Sequence, residues 1–470
     1  MSPPAAHAVD ANRFRLFAEQ ALLDEGWAQD VLIEIGGDGR ILQVERDAKL
    51  SSAHDPEDRH AIVLPAPANL HSHAFQRAMA GLTERRGPDP RDTFWTWREL
   101  MFRFLDRLTP DDVEAIAAFV QMQMLEAGYA CNVEFHYLHH QPGGVPYDNL
   151  AEMSARIAAA AQTSGIGLTL LPVLYQQGGC DGRPLGPGQI RFGNDTDRFA
   201  RLLEEARTAL AALPADTRSG VAPHSLRAVT PQALAAAVAL QDGPVHMHLA
   251  EQVGEVEEVL AHHGARPVRH LLDTMPVDQR WCLIHCTQMQ PEETQALAVT
   301  GAVAGLCPIT ESSLGDGIFD GVRWLGTGGR FGIGSDSNIR ISLSEELRTL
   351  EYSQRLRDRS RAALARPDAS TGRVLFEGAA RGGAQAAGRG SGVIAPGAWA
   401  DLMTLDKDAV DLAGKAGDTL LDAFIFAGDD HMVLDVWSAG RHMVKAGRHV
   451  AHDTITRRFR ETLLRLSDAI

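Results

Sequence analysis

The chain has 470 residues, 44% of them apolar, and a formal net charge of −16. That length builds one large domain with an appendage or two to three ordinary ones, and the apolar content excludes a disordered chain. The acidic balance argues against nucleic acid as a partner, because a phosphate backbone calls for a basic face. No run approaches the roughly 20 apolar residues of a membrane span, so no membrane partner is expected.

The N-terminal stretch MSPPAAHAVDANRFRLF lacks a basic segment followed by an apolar one, so no secretory signal is expected. Cys131, Cys180, Cys282, Cys286 and Cys307 are scattered and odd in number, which argues for a reducing, cytoplasmic compartment rather than a disulfide framework. Residues 14–65 read as short strands; within them VLIEIGGDGRILQVER has the pattern of a hairpin. The stretch from GVIAPGAWADLMTLD to HMVLDVWSAGRHMVKAGRHV has the same texture. Between these ends, eight apolar runs alternate with helical segments: APANLHSH, ACNVEFHYL, GLTLLPVLY, SGVAPHSL, GPVHMHLAE, WCLIHCTQ, AVAGLCPIT and GRFGIGSDSN. DDVEAIAAFVQMQMLEAG and PEETQALAVTG are helical and end at glycine, as helices often do. Eight such repeats predict an α/β (β/α)₈ TIM-like barrel over 66–385. Residues 1–65 and 386–470 are expected to pair as a small β-sandwich domain, and TITRRFRETLLRLSDAI reads as a terminal amphipathic helix. A doubly wound open sheet is the alternative, but no Gly-x-Gly-x-x-Gly turn follows the first strand.

Polar residues at the C-terminal ends of barrel strands share one mouth, where barrel active sites lie. The first run ends in His71 and His73, which share a strand face and can reach one ion. The fifth brings His246 and His248, with Glu251 three residues on; the sixth brings His285 and the eighth Asp336. Each has an ordinary structural explanation alone, but together they form a His/Asp set at one end of four strands. That set suits Zn²⁺ or a similar divalent ion with one position open for water. Bound Zn²⁺ lowers the pKa of water to about 7. On that chemistry Asp336 can take the water's proton, His285 can orient the attacking hydroxide, and Glu251 can carry a proton to a leaving nitrogen.

The order His-x-His, His, His, Asp on strands one, five, six and eight resembles the amidohydrolase superfamily. Many members bridge two metals with a carboxylated lysine from strand four. Lysine occurs here only at Lys49, Lys407, Lys415 and Lys445, so a lysine-bridged pair is excluded; one metal is expected, with a glutamate-bridged pair as the alternative. The stretches NLHSHAFQRAMAGL, FWTWRELM, VEFHYLHH, APHSLRAV, HLAEQ and SDSNIRISLSEELRTLEYSQRL are similar to the formimidoylglutamate deiminase family. The resemblance runs from roughly residue 60 to 360. It implies a hydrolase that converts N-formimidoyl-L-glutamate and water to N-formyl-L-glutamate and ammonia in histidine degradation. It further implies one Zn²⁺ per subunit (Fe²⁺ and other divalent ions accept the same donors) and a homodimer. The ligands it implies are His71, His73, His248 and Asp336, with Glu251, His285 and Asp336 catalytic. Substrate contacts are implied for Gln76, Arg98, Tyr137, His224 and Arg227. Arginines suit a dicarboxylate, since the guanidinium fork pairs bidentately with carboxylate. Arg98 has the alternative of a solvated helix face, Tyr137 and Gln76 of packing, and Asn338 is a further candidate for touching substrate. His136, His139 and His140 are expected to have solvent or structural roles, and His246 to lie in the barrel interior. The competing functions are another superfamily deaminase acting on a guanine-, cytosine- or adenosine-like ring, and a non-catalytic metal-binding barrel.

Overall fold

The computed structural model describes residues 13–49, 56, 58–84 and 94–467. Four strands open the chain: β1 Phe14–Leu23, β2 Gly26–Ile35, β3 Ile41–Glu45 and β4 Asp58–Pro65. The barrel strands follow: β5 Ala68–Ser72, β6 Cys131–His136, β7 Gly167–Leu174, β8 Arg218–Ser219, β9 Ala222–Pro223, β10 Val245–Leu249, β11 Trp281–His285, β12 Val303–Leu306 and β13 Arg330–Ile333. The C-terminal strands are β14 Leu402–Leu405, β15 Val433–Ser438, β16 Arg441–Lys445 and β17 Arg448–His449.

The barrel runs are parallel neighbours in two arcs, β5 to β8 and β10 to β13, with β9 also on β7. The dipeptide strands β8 and β9 together fill the fourth place, and bridges Val221–Val245 and Ser72–Asp336 join the arcs into a closed ring. Strands β5, β6, β7 and β10 to β12 are buried at every residue, as expected for parallel strands covered on both faces. All eight predicted runs are therefore barrel strands.

The chain ends meet in one eight-stranded sheet ordered β17-β16-β15-β14-β4-β1-β2-β3. Its seam is the antiparallel pair β14–β4, which ties the two ends of the sequence together. Leu16, Ile33, Val63, Leu402 and Trp437 from five of its strands share an apolar cluster separate from the barrel core. The predicted terminal helix is observed as His452–Ser467, its apolar face stacking Phe459 on Phe119 at 3.9 Å. Among the described residues, no helix is long and apolar enough to cross a membrane.

The end of the barrel opposite the site is closed by the helix Thr371–Ala386. His246 Nε2 bonds to the Ala386 carbonyl at 2.8 Å and Thr169 Oγ1 donates to the Ala387 carbonyl at 2.8 Å. His246 is thus an interior structural residue, as expected.

Candidate active site

Asp336 reaches the first strand because the chain after β13 lies directly on β5. Asp336 N–H donates to the His71 carbonyl and His73 N–H to the Asp336 carbonyl, each at 2.9 Å. Gly334 permits this approach: a Cβ there would meet His71 Cβ at 2.7 Å. His248 comes from the end of β10, as strand periodicity requires.

One atom from each of His71, His73, His248 and Asp336 lies within 4.8 Å of the other three. His71 Nε2 is 3.2 Å from His248 Nε2 and 3.5 Å from Asp336 Oδ1; His73 Nε2 is 3.3 Å from the same oxygen. Ligands about 2.0–2.1 Å from a tetrahedral ion sit about 3.4 Å from one another, so the spacing fits. The tautomers fit as well. His73 Nδ1 faces the Phe135 carbonyl at 2.9 Å and His248 Nδ1 the His224 carbonyl at 3.2 Å. A carbonyl only accepts, so both Nδ1 atoms carry the proton and both Nε2 lone pairs point into the cluster. Burial drives the histidines toward the neutral form a ligand needs, pushing His71 down to about 3 and His73 and His248 below their usual value. Burial alone would raise the Asp336 carboxyl; the hydrogen bond from His71 and the nearby imidazoles outweigh it and hold Asp336 well below the carboxylate range.

Beside this cluster, His285 Nε2 stands 3.7 Å from Asp336 Oδ2 and 3.8 Å from Glu251 Oε1. Burial pushes the Glu251 carboxyl up to about 7. His285 is driven the other way from its buried neighbours: burial lowers it, but Glu251, the hydrogen bond to Glu311 and Asp336 together raise it well above the usual value. Glu255 holds the turn that carries Glu251, accepting from the backbone N–H of Ala250 at 3.1 Å and of Glu251 at 2.9 Å.

These groups open into a cleft also bordered by Gln76, Arg98, Tyr137, Tyr175, His224 and Arg227. Gln76 Nε2 donates to the Tyr137 hydroxyl at 2.7 Å, and its Oε1 is buried without a hydrogen-bond partner. Arg98, on the helix Phe94–Leu105, faces the cleft rather than solvent and donates from Nη2 to the Tyr175 hydroxyl at 3.0 Å. Burial, then the charges of Arg227 and Arg98, depress His224 well below its usual value, so both guanidinium groups act on one region. The cleft thus combines the carboxylates of Glu251 and Asp336 with the guanidinium groups of Arg98 and Arg227.

All eleven residues singled out for chemistry come together here; His71 is the one that holds the cluster from behind rather than lining the cleft. Asn338 does not join them. It is fully buried, accepts from Ser335 Oγ at 2.6 Å and donates to Ser72 Oγ at 3.2 Å and the Asp336 carbonyl at 3.0 Å. Its amide is used up in bracing the Asp336 turn, which corrects the expectation of substrate contact. His136, His139 and His140 are all buried, so the solvent part of that expectation fails. His139 Nε2 bonds to the Val173 carbonyl and His140 Nε2 to the Gly193 carbonyl, which are structural roles. Sequence reasoning missed two residues. Tyr175 directly follows β7 and had the same strand-end signal as the histidines. Glu311 lies in a helix first turn, where a carboxylate is ordinary, and had no distinguishing signal.

A parallel barrel with a His₃Asp cluster and flanking acid–base groups at its C-terminal mouth defines a hydrolase of the metal-dependent barrel class. The chain belongs to the amidohydrolase family, whose sequence pattern matches residues 62–443. Residues 15–61 match the description "Formimidoylglutamate deiminase HutF, N-terminal domain". The formimidoylglutamate deiminase of Pseudomonas aeruginosa is 50% identical over 456 residues, covering 96% of this chain and 99% of that protein, which places the chain in the formimidoylglutamate deiminase branch. A crystal structure of an amidohydrolase from Brucella melitensis superposes with a TM-score of 0.92 at 49% identity, covering 96% of this chain and 99% of that one. The 8-oxoguanine deaminase of P. aeruginosa is more distant, 28% identical over 80% of this chain and 82% of its own length.

Proposed function

We propose that this protein hydrolyses N-formimidoyl-L-glutamate to N-formyl-L-glutamate and ammonia. The observation that carries the reading is the lining of the cleft: Arg98 and Arg227 suit two carboxylates, and Glu251 and Asp336 suit a formimidoyl group. A divalent ion held by His71, His73, His248 and Asp336 would supply the Lewis acidity that makes water a nucleophile near neutral pH. The remaining work falls to the chain's own groups. Water lying among Asp336, His285 and Glu251 has a base on either side. Asp336 accepts its proton as the C–O bond forms at the formimidoyl carbon. His285 stabilises the charge developing on that oxygen; Glu251 and then Asp336 each give a proton to the nitrogen, the C–N bond breaks to release ammonia, and the remaining hydroxyl proton passes to Glu251 as the formyl carbonyl forms. Gln76, Tyr137, His224, Arg98 and Arg227 orient the glutamate portion. We take the ion to be Zn²⁺, one per subunit, because three imidazoles and a carboxylate suit it. We place the enzyme in the cytoplasm as a homodimer acting in histidine degradation, on the strength of the family resemblance.

The test is initial-rate ammonia release from N-formimidoyl-L-glutamate against guanine, adenosine and cytosine. Turnover of the first far above the others is expected. Preference for a ring substrate, or no ammonia from the first, overturns the reading.

A further inference from the structure

Glu311 belongs to neither the ligand cluster nor the cleft wall, yet it touches the histidine on which the proposed chemistry turns. It lies in the first turn of the helix Pro308–Leu314, which starts directly after β12. A glutamate there ordinarily faces water and complements its own helix N-terminus. This one is 5% exposed, and its Oε1 accepts from two donors: the Cys307 backbone N–H at 2.8 Å and His285 Nδ1 at 3.2 Å. A carboxylate oxygen only accepts, so the proton on that side of the ring is on Nδ1, and Nε2 is the nitrogen presented to Asp336 and Glu251.

The backbone does not fix the ring by itself. His285 and Cys286 leave β11 with φ of 72° and 54°, a left-handed departure that non-glycine residues hold only under constraint. Glu311 is itself held firmly. Thr310 Oγ1 meets Ser337 Oγ at 3.0 Å, and Ile309 N–H donates to Glu346 Oε2 at 2.9 Å, so the short helix is fixed both to the turn after β13 and to the helix Leu343–Asp358. Burying Glu311 within reach of other carboxylates disfavours folding, and the contact it gains there is with the working imidazole.

We propose that Glu311 is the positioning residue of His285, holding its ring so that Nε2 faces the reacting water. It is the role a buried carboxylate plays behind a catalytic histidine in hydrolases that lack a metal. The proposal rests on the hydrolytic reading of the site given above. Glu311→Ala is expected to lower kcat for N-formimidoyl-L-glutamate by about 100-fold or more, with KM within about threefold and bound metal unchanged. Glu311→Gln, whose carbonyl can accept both bonds, restores most of the rate. Because Glu311 acts through His285, adding Glu311→Ala to His285→Asn costs no further activity. A purely structural glutamate would move Tm, metal content and KM together and would lower the His285→Asn variant further. Should the alanine variant not fold, Glu311→Met fills the space without an acceptor and takes its place.

A substrate-free measurement separates this proposal from the choice of substrate. In the zinc-loaded wild type, NMR is expected to show a downfield, exchange-protected His285 Nδ1–H signal that is lost in His285→Asn and Glu311→Ala and kept in Glu311→Gln. Its absence from the wild type, or its survival in Glu311→Ala, overturns the proposal, as does a kcat loss below threefold. Wild-type enzyme that releases no ammonia overturns the substrate assignment and leaves the NMR result to decide Glu311.

Discussion

Replacing Tyr175 with phenylalanine removes one oxygen from the wall of the cleft. That oxygen accepts from Arg98 Nη2 at 3.0 Å and from Gln189 Nε2 at 2.8 Å. A hydrogen bond to a charged group contributes about 1.5–3 kcal/mol, and the half-buried position of Arg98 favours the lower end. About 1.4 kcal/mol is a factor of about ten in binding. With Arg98 loosened, KM for N-formimidoyl-L-glutamate should rise about tenfold, while kcat stays within about twofold because Tyr175 does not touch the reacting carbon. Gln189 is buried and loses the same acceptor, at a cost of about 1–3 kcal/mol. At about 2.1 cal/mol/K per residue, unfolding 470 residues carries an entropy of about 1 kcal/mol/K, so Tm should fall by about 1–3 °C. The assay is initial-rate ammonia release, with formamidine, which has no carboxylate, as the control substrate. A KM change below twofold, or an equal loss on formamidine, refutes an anchored Arg98 as a carboxylate contact.

Asp336→Asn removes the one anionic member of the ligand cluster; bound metal should fall well below one equivalent after dialysis, and activity at least about 100-fold. Metal content and rate both at wild-type level would exclude the proposed centre. Arg389 is buried against Asp401 at 2.6 Å and Asp216 at 2.8 Å. Arg389→Met leaves Asp401 with the Ala439 N–H, and losing one partner of a buried pair costs about 3–5 kcal/mol, seen by denaturant unfolding with kcat unchanged. The deficit should depend on pH. Burial raises the Asp216 carboxyl, but Arg441 and Arg389 outweigh it, so its folded pKa lies below the unfolded one. Its stabilisation is complete above an unfolded pKa of about 3.9 and is lost as pH falls through the folded value. The gap between wild type and variant should therefore narrow below about pH 4; a gap constant from pH 7 to 3 argues against an ionic origin.

What the sequence made legible was whatever strand periodicity controls. His71 with His73, and His246 with His248, alternate on strands buried on both faces, so their direction followed from the spacing of two. The fourth strand was recognised but not its break into β8 and β9 around Gly220. The close approach there requires glycine, since a Cβ at Gly220 would meet the Pro244 carbonyl at 2.4 Å. Asn338 was misjudged for a related reason. It stands two residues past Asp336 in a turn, and a turn's backbone angles, not its spacing, decide that the amide points back into the scaffold.

Those angles also explain why the site needs more residues than it uses. Ala250, His285, Cys286, Asp336 and Asn338 all hold positive φ, between 47° and 72°, at the ends of three strands. For non-glycine residues such a conformation costs on the order of 1 kcal/mol each. Buried polar groups hold each turn: Glu255 accepts from the Ala250 and Glu251 backbone N–H groups, Glu311 accepts from the His285 ring, and Asn338 donates to the Asp336 carbonyl. Each catalytic candidate thus has a partner that never meets the substrate. Such a partner is set by the turn it closes, and turns at different strand ends share no common spacing. A motif search therefore finds the residues that do chemistry and passes over those that hold them still, although the strained turns need both.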